Sequence, residues 1–149
     1  MQTKNYSRLV VSLVLSFFIM YAVMFLNVDA RDHIFLSLTR TYMCLLMVSP
    51  MTILMLLSMP HMYKKDGINR IIIISAVIIF SASLSFLRNQ TFISDRNYMK
   101  AMIPHHSSAI LTSKNTHLLN PEVRKLADSI IASQEREIRQ MEGLLLKMK

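Results

Sequence analysis

Thr41-Tyr42-Met43-Cys44-Leu45-Leu46-Met47-Val48-Ser49-Pro50-Met51-Thr52-Ile53-Leu54-Met55-Leu56-Leu57-Ser58-Met59 contains no charged residue. A bilayer's hydrocarbon core takes roughly 17 to 25 predominantly apolar helical residues, so the stretch reads as a membrane span. Two similar runs frame it, Leu9 to Leu26 and Ile71 to Leu87, and neither carries a charge. The hydrophobic fraction of 52% would suit a globular chain, but here it is concentrated in these three runs. At 149 residues the chain has room for about one domain on ordinary size priors. The expectation is an all-α protein: a membrane domain over residues 1–88, with spans near 9–26, 41–59 and 71–87, and an extramembrane segment over 89–149.

The first run has some features of a cleaved signal. Lys4 and Arg8 give it a basic start, and Val28-Asp29-Ala30 loosely resembles a small-residue cleavage site. Its apolar stretch exceeds the usual ~7 to 15 residues, and two further spans follow closely, so it is read as a retained span. Lys4, Arg8, Lys64, Lys65 and Arg70 flank one side of the predicted spans, whereas Arg31 and Arg40 in the first loop are offset by Asp29 and Asp32. The positive-inside rule then places the N-terminus in the cytoplasm and the C-terminal segment in the periplasm or outside the cell, in a bacterial inner membrane. Arg88, Arg96 and Lys100 after the third span weaken that asymmetry.

The formal net charge is +8, with seven Lys/Arg against three Asp/Glu before residue 88 and ten against six from there on. No basic block stands out and the charges of the tail alternate in sign, as on a solvated helix face, so nucleic-acid binding is not expected. The single cysteine, Cys44, permits neither an intrachain disulfide nor a cysteine-based zinc site.

Residues 89–149 read as an antiparallel helical hairpin. Ser94-Asp95 is a plausible helix start, and Met99, Met102, Ile103, His106, Ala109, Ile110 and Ser113 form a stripe up to about Thr116. Pro104 lies within it and removes a hydrogen bond to the carbonyl four residues back, so the helix kinks or restarts there. Asn120-Pro121-Glu122 is a clean second start, with a capping Asn, proline at the first helical position and an acid in the first turn. Val123, Leu126, Ala127, Ile130, Ile131, Gln134, Ile138, Met141, Leu145 and Met148 then keep helical periodicity.

A short connection near Leu119 forces the two helices antiparallel. Counting outward from it sets His106 opposite Ser133 and Gln134, Met102 opposite Arg136 and Glu137, and Met99 opposite Gln140 and Met141. Met99, Met102, His105 and His106 on one wall and Gln134, Glu137 and Met141 on the other are thus candidates for one interhelical groove. Thioether and imidazole suit Cu(I) and, by softness, Ag(I), while neutral imidazole also suits Cu(II) and Zn(II). The plainer alternative is that the methionines are core filler and that His105-His106 flanks a helix kink. His117, eleven residues after His106, lies ~16 Å further along the axis and reads as a solvated histidine near the turn.

Met43, Met47, Met51, Met55 and Met59 recur every four residues along the second span, with Cys44 beside the first and His61 and Met62 beyond the last. Such a row is either a thioether ladder for Cu(I) or flexible apolar packing, and the second reading needs no ligand role. Catalytic signatures are missing from the sequence. There is no His-Glu-x-x-His or Glu-x-x-His pair, and the two glycines, Gly67 and Gly143, make no phosphate-cradling loop. No Asp is placed to orient His105 or His106 beside Ser107 and Ser108. An enzyme is not expected.

Tyr98 to Ile110, Asn120 to Arg124 and Ile130 to Met141 together resemble the domain of unknown function 305 family. The resemblance rests on a Met-x-x-His-His-x-x-Ala element, Met102 to Ala109, followed by a Gln-x-x-Glu-Ile-x-x-Met helix, Gln134 to Met141. It implies a ferritin-like helical half-bundle, periplasmic or membrane-anchored, associated in some members with copper or heavy-metal tolerance. It carries over to Met99, Met102, His105, His106, Gln134, Glu137 and Met141 as metal ligands. The expected function is soft-metal binding (Cu(I), Cu(II) or Ag(I)) for sequestration or tolerance, with the lipid bilayer, a metal ion and a second copy of the chain as partners. An interaction module that oligomerises or docks on a membrane partner is the alternative. A long two-helix hairpin has little core of its own, so oligomerisation is expected in either case.

Overall fold

The computed structural model describes residues 2–148, with side chains from Lys4 onward. Within these limits the protein consists of five α-helices and no strand: α1 (Gln2–Val23), α2 (Leu38–Ser58), α3 (Asp66–Asn89), α4 (Asp95–Asn115) and α5 (Pro121–Lys147). A short 3-10 turn, Arg31–His33, lies between α1 and α2. The chain divides into two compact units, one of Met1–Val23 with Thr39–Phe92, the other of Met24–Leu38 with Ile93–Lys149.

The first unit holds α1, α2 and α3, each long and apolar enough to cross a membrane (Lys4–Val23, Leu38–Ser58 and Asp66–Asn89). The expected spans are therefore all helical, with shifted ends: α1 starts at Gln2 and stops at Val23, short of the predicted Leu26. Lys4 and Arg8 do not interrupt it, because long basic side chains can lie along apolar surface with their charge at the boundary. Leu9, Leu56 and Tyr63 are buried together, with Tyr6, Leu13, Met55, Ile72 and Ile73 against them. Outward-facing Val10, Phe18 and Ile78 stay exposed, as expected for helices whose partner is hydrocarbon.

Polar side chains tie the ends of this unit. The Tyr6 hydroxyl donates to Asn69 Oδ1 at 2.8 Å and accepts from the Lys65 amide at 3.2 Å. Asn69 donates to the Tyr63 carbonyl at 2.7 Å, and Asn5 to the Met62 carbonyl at 3.1 Å. These bonds hold the start of α1 to the α2–α3 connection. Elsewhere Tyr42 donates to the Thr91 carbonyl at 3.0 Å. There α3 ends on Gln90 in the left-handed region (φ 51°), and the amides of Gln90 and Thr91 both reach the Phe86 carbonyl. Two amides on one carbonyl close the last turn of the helix.

The second unit is built on α4 and α5. Ser94 caps α4 by accepting from the Asn97 amide, and Asn120 caps α5 by accepting from Glu122 and Val123, with Pro121 at its first position. Both starts stand where the capping residues place them. Ile103, Ile110 and Ile138 are fully buried between the two helices, and Ile131, Met141 and Leu145 pack on them. The sevenfold spacing within 103/110 and 131/138/145 keeps each set on one stripe. Arg124 donates to the Ser113 carbonyl near the connection, and His106 pairs with Glu137 further from it, so the helices run past each other in opposite senses. Pro104 is buried inside a continuous α4.

Met24–Leu38, expected within the membrane domain as the end of the first span and the loop after it, packs within this second unit. Ser107 is fully buried and accepts from the Asp29 amide at 2.7 Å, while His33 Nδ1 lies 2.8 Å from the same oxygen. Asn27 donates to Ser108 at 2.8 Å, and Phe35 joins the isoleucine core. Lys114 bonds Asp29 at 3.0 Å with Glu135 at 3.6 Å, and Asp29 in particular raises the ammonium's pKa. The segment thus supplies a third wall to a helix pair whose own core is small.

Candidate functional site

His106 is the organising residue. Its Nδ1 lies 2.9 Å from the Met102 carbonyl and its Nε2 2.7 Å from Glu137 Oε2. A carbonyl oxygen can only accept, so Nδ1 carries a hydrogen and Nε2 is the nitrogen turned to α5. Glu137 is fixed from its other oxygen, where the Ser133 hydroxyl donates at 2.8 Å. The Ser133 bond, then the His106 bond, hold its carboxyl below the usual glutamate range, with Arg136 adding a smaller attraction.

This pair lies on a groove of about 540 Å³ within the second unit, also lined by Met99, Met141, Met148, Tyr98 and Gln140. Met99 is buried and Met141 half-buried, so both thioethers belong to the same concavity as the imidazole and the carboxylate. Four of the seven candidate ligands, Met99, His106, Glu137 and Met141, therefore share one groove. Met102 is half-buried and enters through its backbone carbonyl. Gln134 is half-buried and is not among the groove's lining residues. His105 is exposed, its ring 6.2 Å from that of His106 and nearly perpendicular to it. Only one of the two adjacent imidazoles meets Met102, since neighbouring positions on a helix point about 100° apart. His117 is exposed near the connection.

The pairing differs from simple counting, which set His106 opposite Ser133 and Gln134. Helical side chains lean toward the N-terminus of their own helix. His106 leans back to Met102 while Glu137 leans back to Ser133, and the two shifts add because the helices run in opposite senses. Backbone counting is thus offset by about one turn, and the bonds of each side chain to its own preceding turn show the lean directly.

Among the described residues no three His, Cys, Asp or Glu side chains gather closely enough to hold a metal ion. The groove's lining offers a cation one imidazole, two carboxylates (Glu137 and Asp95) and the thioethers of Met99, Met141 and Met148. Thioethers suit a soft cation, whereas imidazole and carboxylate also suit a harder one. The candidate set leaves out Met148, seven residues after Met141 and so on the same stripe, and Ser133, one turn before Glu137, although counting places Ser133 opposite His106. Both spacings are visible in the sequence.

The methionine row of α2 has different surroundings. Met43, Met47, Met51 and Met59 are exposed on the outside of the first unit, and Met55 packs into its core. Cys44 is buried.

The family model "Domain of unknown function (DUF305)" matches residues 81–146, which include α4 and nearly all of α5. The chain is 35% identical over 145 residues to "Uncharacterized protein L153" of Acanthamoeba polyphaga mimivirus, across 95% of this chain and 93% of that protein. No solved structure matches. By a relative alike over nearly its whole length, and by the family model over its helix pair, this chain belongs to the domain of unknown function 305 family.

Proposed function

We propose that the second unit binds a soft metal ion, Cu(I) or Ag(I), at His106 Nε2 with Met99 and Met141, for sequestration or tolerance. The observation that carries this reading is the fixed imidazole: the Met102 carbonyl holds Nδ1–H and so presents Nε2 to a groove lined by three thioethers, Glu137 and Asp95. A ligating histidine is usually oriented in this way, by a hydrogen bond from its other ring nitrogen to a carbonyl or carboxylate. Glu137 is placed to serve as a further ligand, with the proton between Nε2 and Oε2 released to solvent. Met148 lies within the same groove. His105, exposed beside it, is placed to meet an incoming ion first. Cu(II) would use the imidazole and carboxylate more than the thioethers.

The role is binding rather than catalysis, in a multi-pass membrane protein. Met24–Leu38 and Ile93–Lys149 share one compact unit, which supports a topology in which α2 and α3 both cross and return the chain to the same side. With Lys4, Arg8, Lys64, Lys65 and Arg70 on the cytosolic side, the helix pair would lie on the opposite face, periplasmic or extracellular. Self-association is a second reading, supported by apolar side chains left exposed around the α4–α5 connection: Leu119 at 85%, Leu126 at 60% and Val123 at 44%. In that reading the His106–Glu137 pair only fastens two helices.

Titration of the detergent-solubilised full chain with Cu(I) against a chromogenic chelator separates the two. The metal reading expects saturable binding that is lost in His106→Ala and weakened in Met99→Leu/Met141→Leu. Equal affinity in all three proteins would leave only the helix-fastening role.

A further inference from the structure

In the first unit, five cations gather around the contact between the start of α1 and the α2–α3 connection. Lys4 and Arg8 lie on α1, Lys64 and Lys65 in the connection, and Arg70 on the first turns of α3. All five are exposed, and none makes an ion pair among the described residues. Asp66 is the single carboxylate in these segments. The hydrogen bonds through Tyr6, Asn69 and Asn5 fasten the three segments together, so the charges belong to one assembled surface.

The same three helices leave a groove of about 260 Å³ between them, lined by Leu13 of α1, Leu45 to Thr52 of α2 and Ile71 to Ile79 of α3. It begins at Ile71 and Ile72, immediately after Arg70, and extends to Ile79, ~12 Å further along α3. Two of its hydroxyls are already used. Ser49 donates to the Leu45 carbonyl at 2.7 Å, and Thr52 to the Val48 carbonyl at 2.9 Å. The groove therefore offers an apolar lining despite its serines and threonine.

We propose that this is a binding site for one anionic phospholipid, its headgroup phosphate on Lys64, Lys65 and Arg70 and an acyl chain along the groove between α1, α2 and α3. The unpaired cations at the mouth choose the sign of the headgroup, and the apolar groove behind them distinguishes a lipid from a free anion. Juxtamembrane cations attract anionic headgroups, and the attraction is screened by salt.

The test uses the full-length protein, delipidated in mild detergent and titrated with phosphatidylglycerol or phosphatidylcholine, with bound lipid counted by native mass spectrometry. Phosphatidylglycerol is expected to bind one per chain, more tightly than phosphatidylcholine, with an affinity that falls as salt rises. Lys64→Gln/Lys65→Gln/Arg70→Gln should weaken it on the order of 10- to 100-fold while leaving phosphatidylcholine unchanged. Ala76→Leu, which fills the groove, should weaken both lipids. The salt titration of the unaltered protein reads the same preference without any variant. Equal affinity for the two lipids, an unchanged triple variant, or displacement of phosphatidylglycerol by inorganic phosphate would overturn the proposal.

Discussion

Two sets of methionines in this protein show how surroundings separate a packing side chain from a candidate ligand. On α2, Met43, Met47 and Met51 repeat every four residues and face outward, where a thioether serves as flexible apolar surface. In the second unit, Met99 and Met141 come from different helices, with no repeat to announce them. Yet they share a groove with an oriented imidazole and a carboxylate. The regular pattern is the less informative of the two. A soft cation needs several donors converging on one point, and a single helix face spreads its donors along an axis.

That contrast can be broken at the core of the helix pair. Ile138 is 2% exposed and packs with Ile103 and Ile110, so Ile138→Ala should destabilise the second unit by about 2–5 kcal/mol in denaturant unfolding. The groove would loosen with it, and metal affinity should fall even though no donor is changed. His106→Ala acts on the donor itself. A loss of on the order of 100-fold or more in Cu(I) affinity is expected, at or beyond the ~10–100-fold that outer-shell partners alone produce.

The sharpest form of the comparison exchanges thioethers in both places. Met99→Leu/Met141→Leu should lower affinity by about tenfold or more, whereas Met47→Leu/Met51→Leu should leave it unchanged. Volume-conserving swaps of this kind cost less than ~1.5 kcal/mol each, so stability measured alongside should scarcely separate the pairs. The smallest effect concerns Glu137. Its pKa is depressed in the folded state by Ser133 and His106, so it contributes stability above the ordinary glutamate value. That contribution is lost as pH falls below about 4.3 and through the lower folded value. Thermal melts across this acid range should show the loss in the native protein and a flatter profile in Glu137→Gln.

Much of the fold was legible because its signals are local. Uncharged runs marked the three membrane-length helices, and Ser94 and Asn120-Pro121 marked the starts of α4 and α5. The missed partner was Met24–Leu38. Asp29, His33 and Phe35 meet residues more than seventy positions away, through Ser107, Lys114 and the isoleucine core, and such contacts follow no periodic pattern. At the site, residue types and spacing grouped Met99, Met102, His105, His106, Gln134, Glu137 and Met141, and the structure brings four of these seven into one groove. The offset pairing of His106 with Glu137 depended on side-chain lean, which backbone counting omits. Whether His105 or His106 turns inward is a matter of helix phase, and the burial of Ile103 and Ile110 decides it.

X-ray absorption at the copper edge of the Cu(I)-loaded full-length protein probes the converging donor set most directly. A shell containing sulfur together with one imidazole nitrogen, losing its sulfur in Met99→Leu/Met141→Leu and keeping it in Met47→Leu/Met51→Leu, is the predicted spectrum. A shell of nitrogen and oxygen alone, or sulfur that disappears only when the α2 methionines are replaced, would contradict a site at His106.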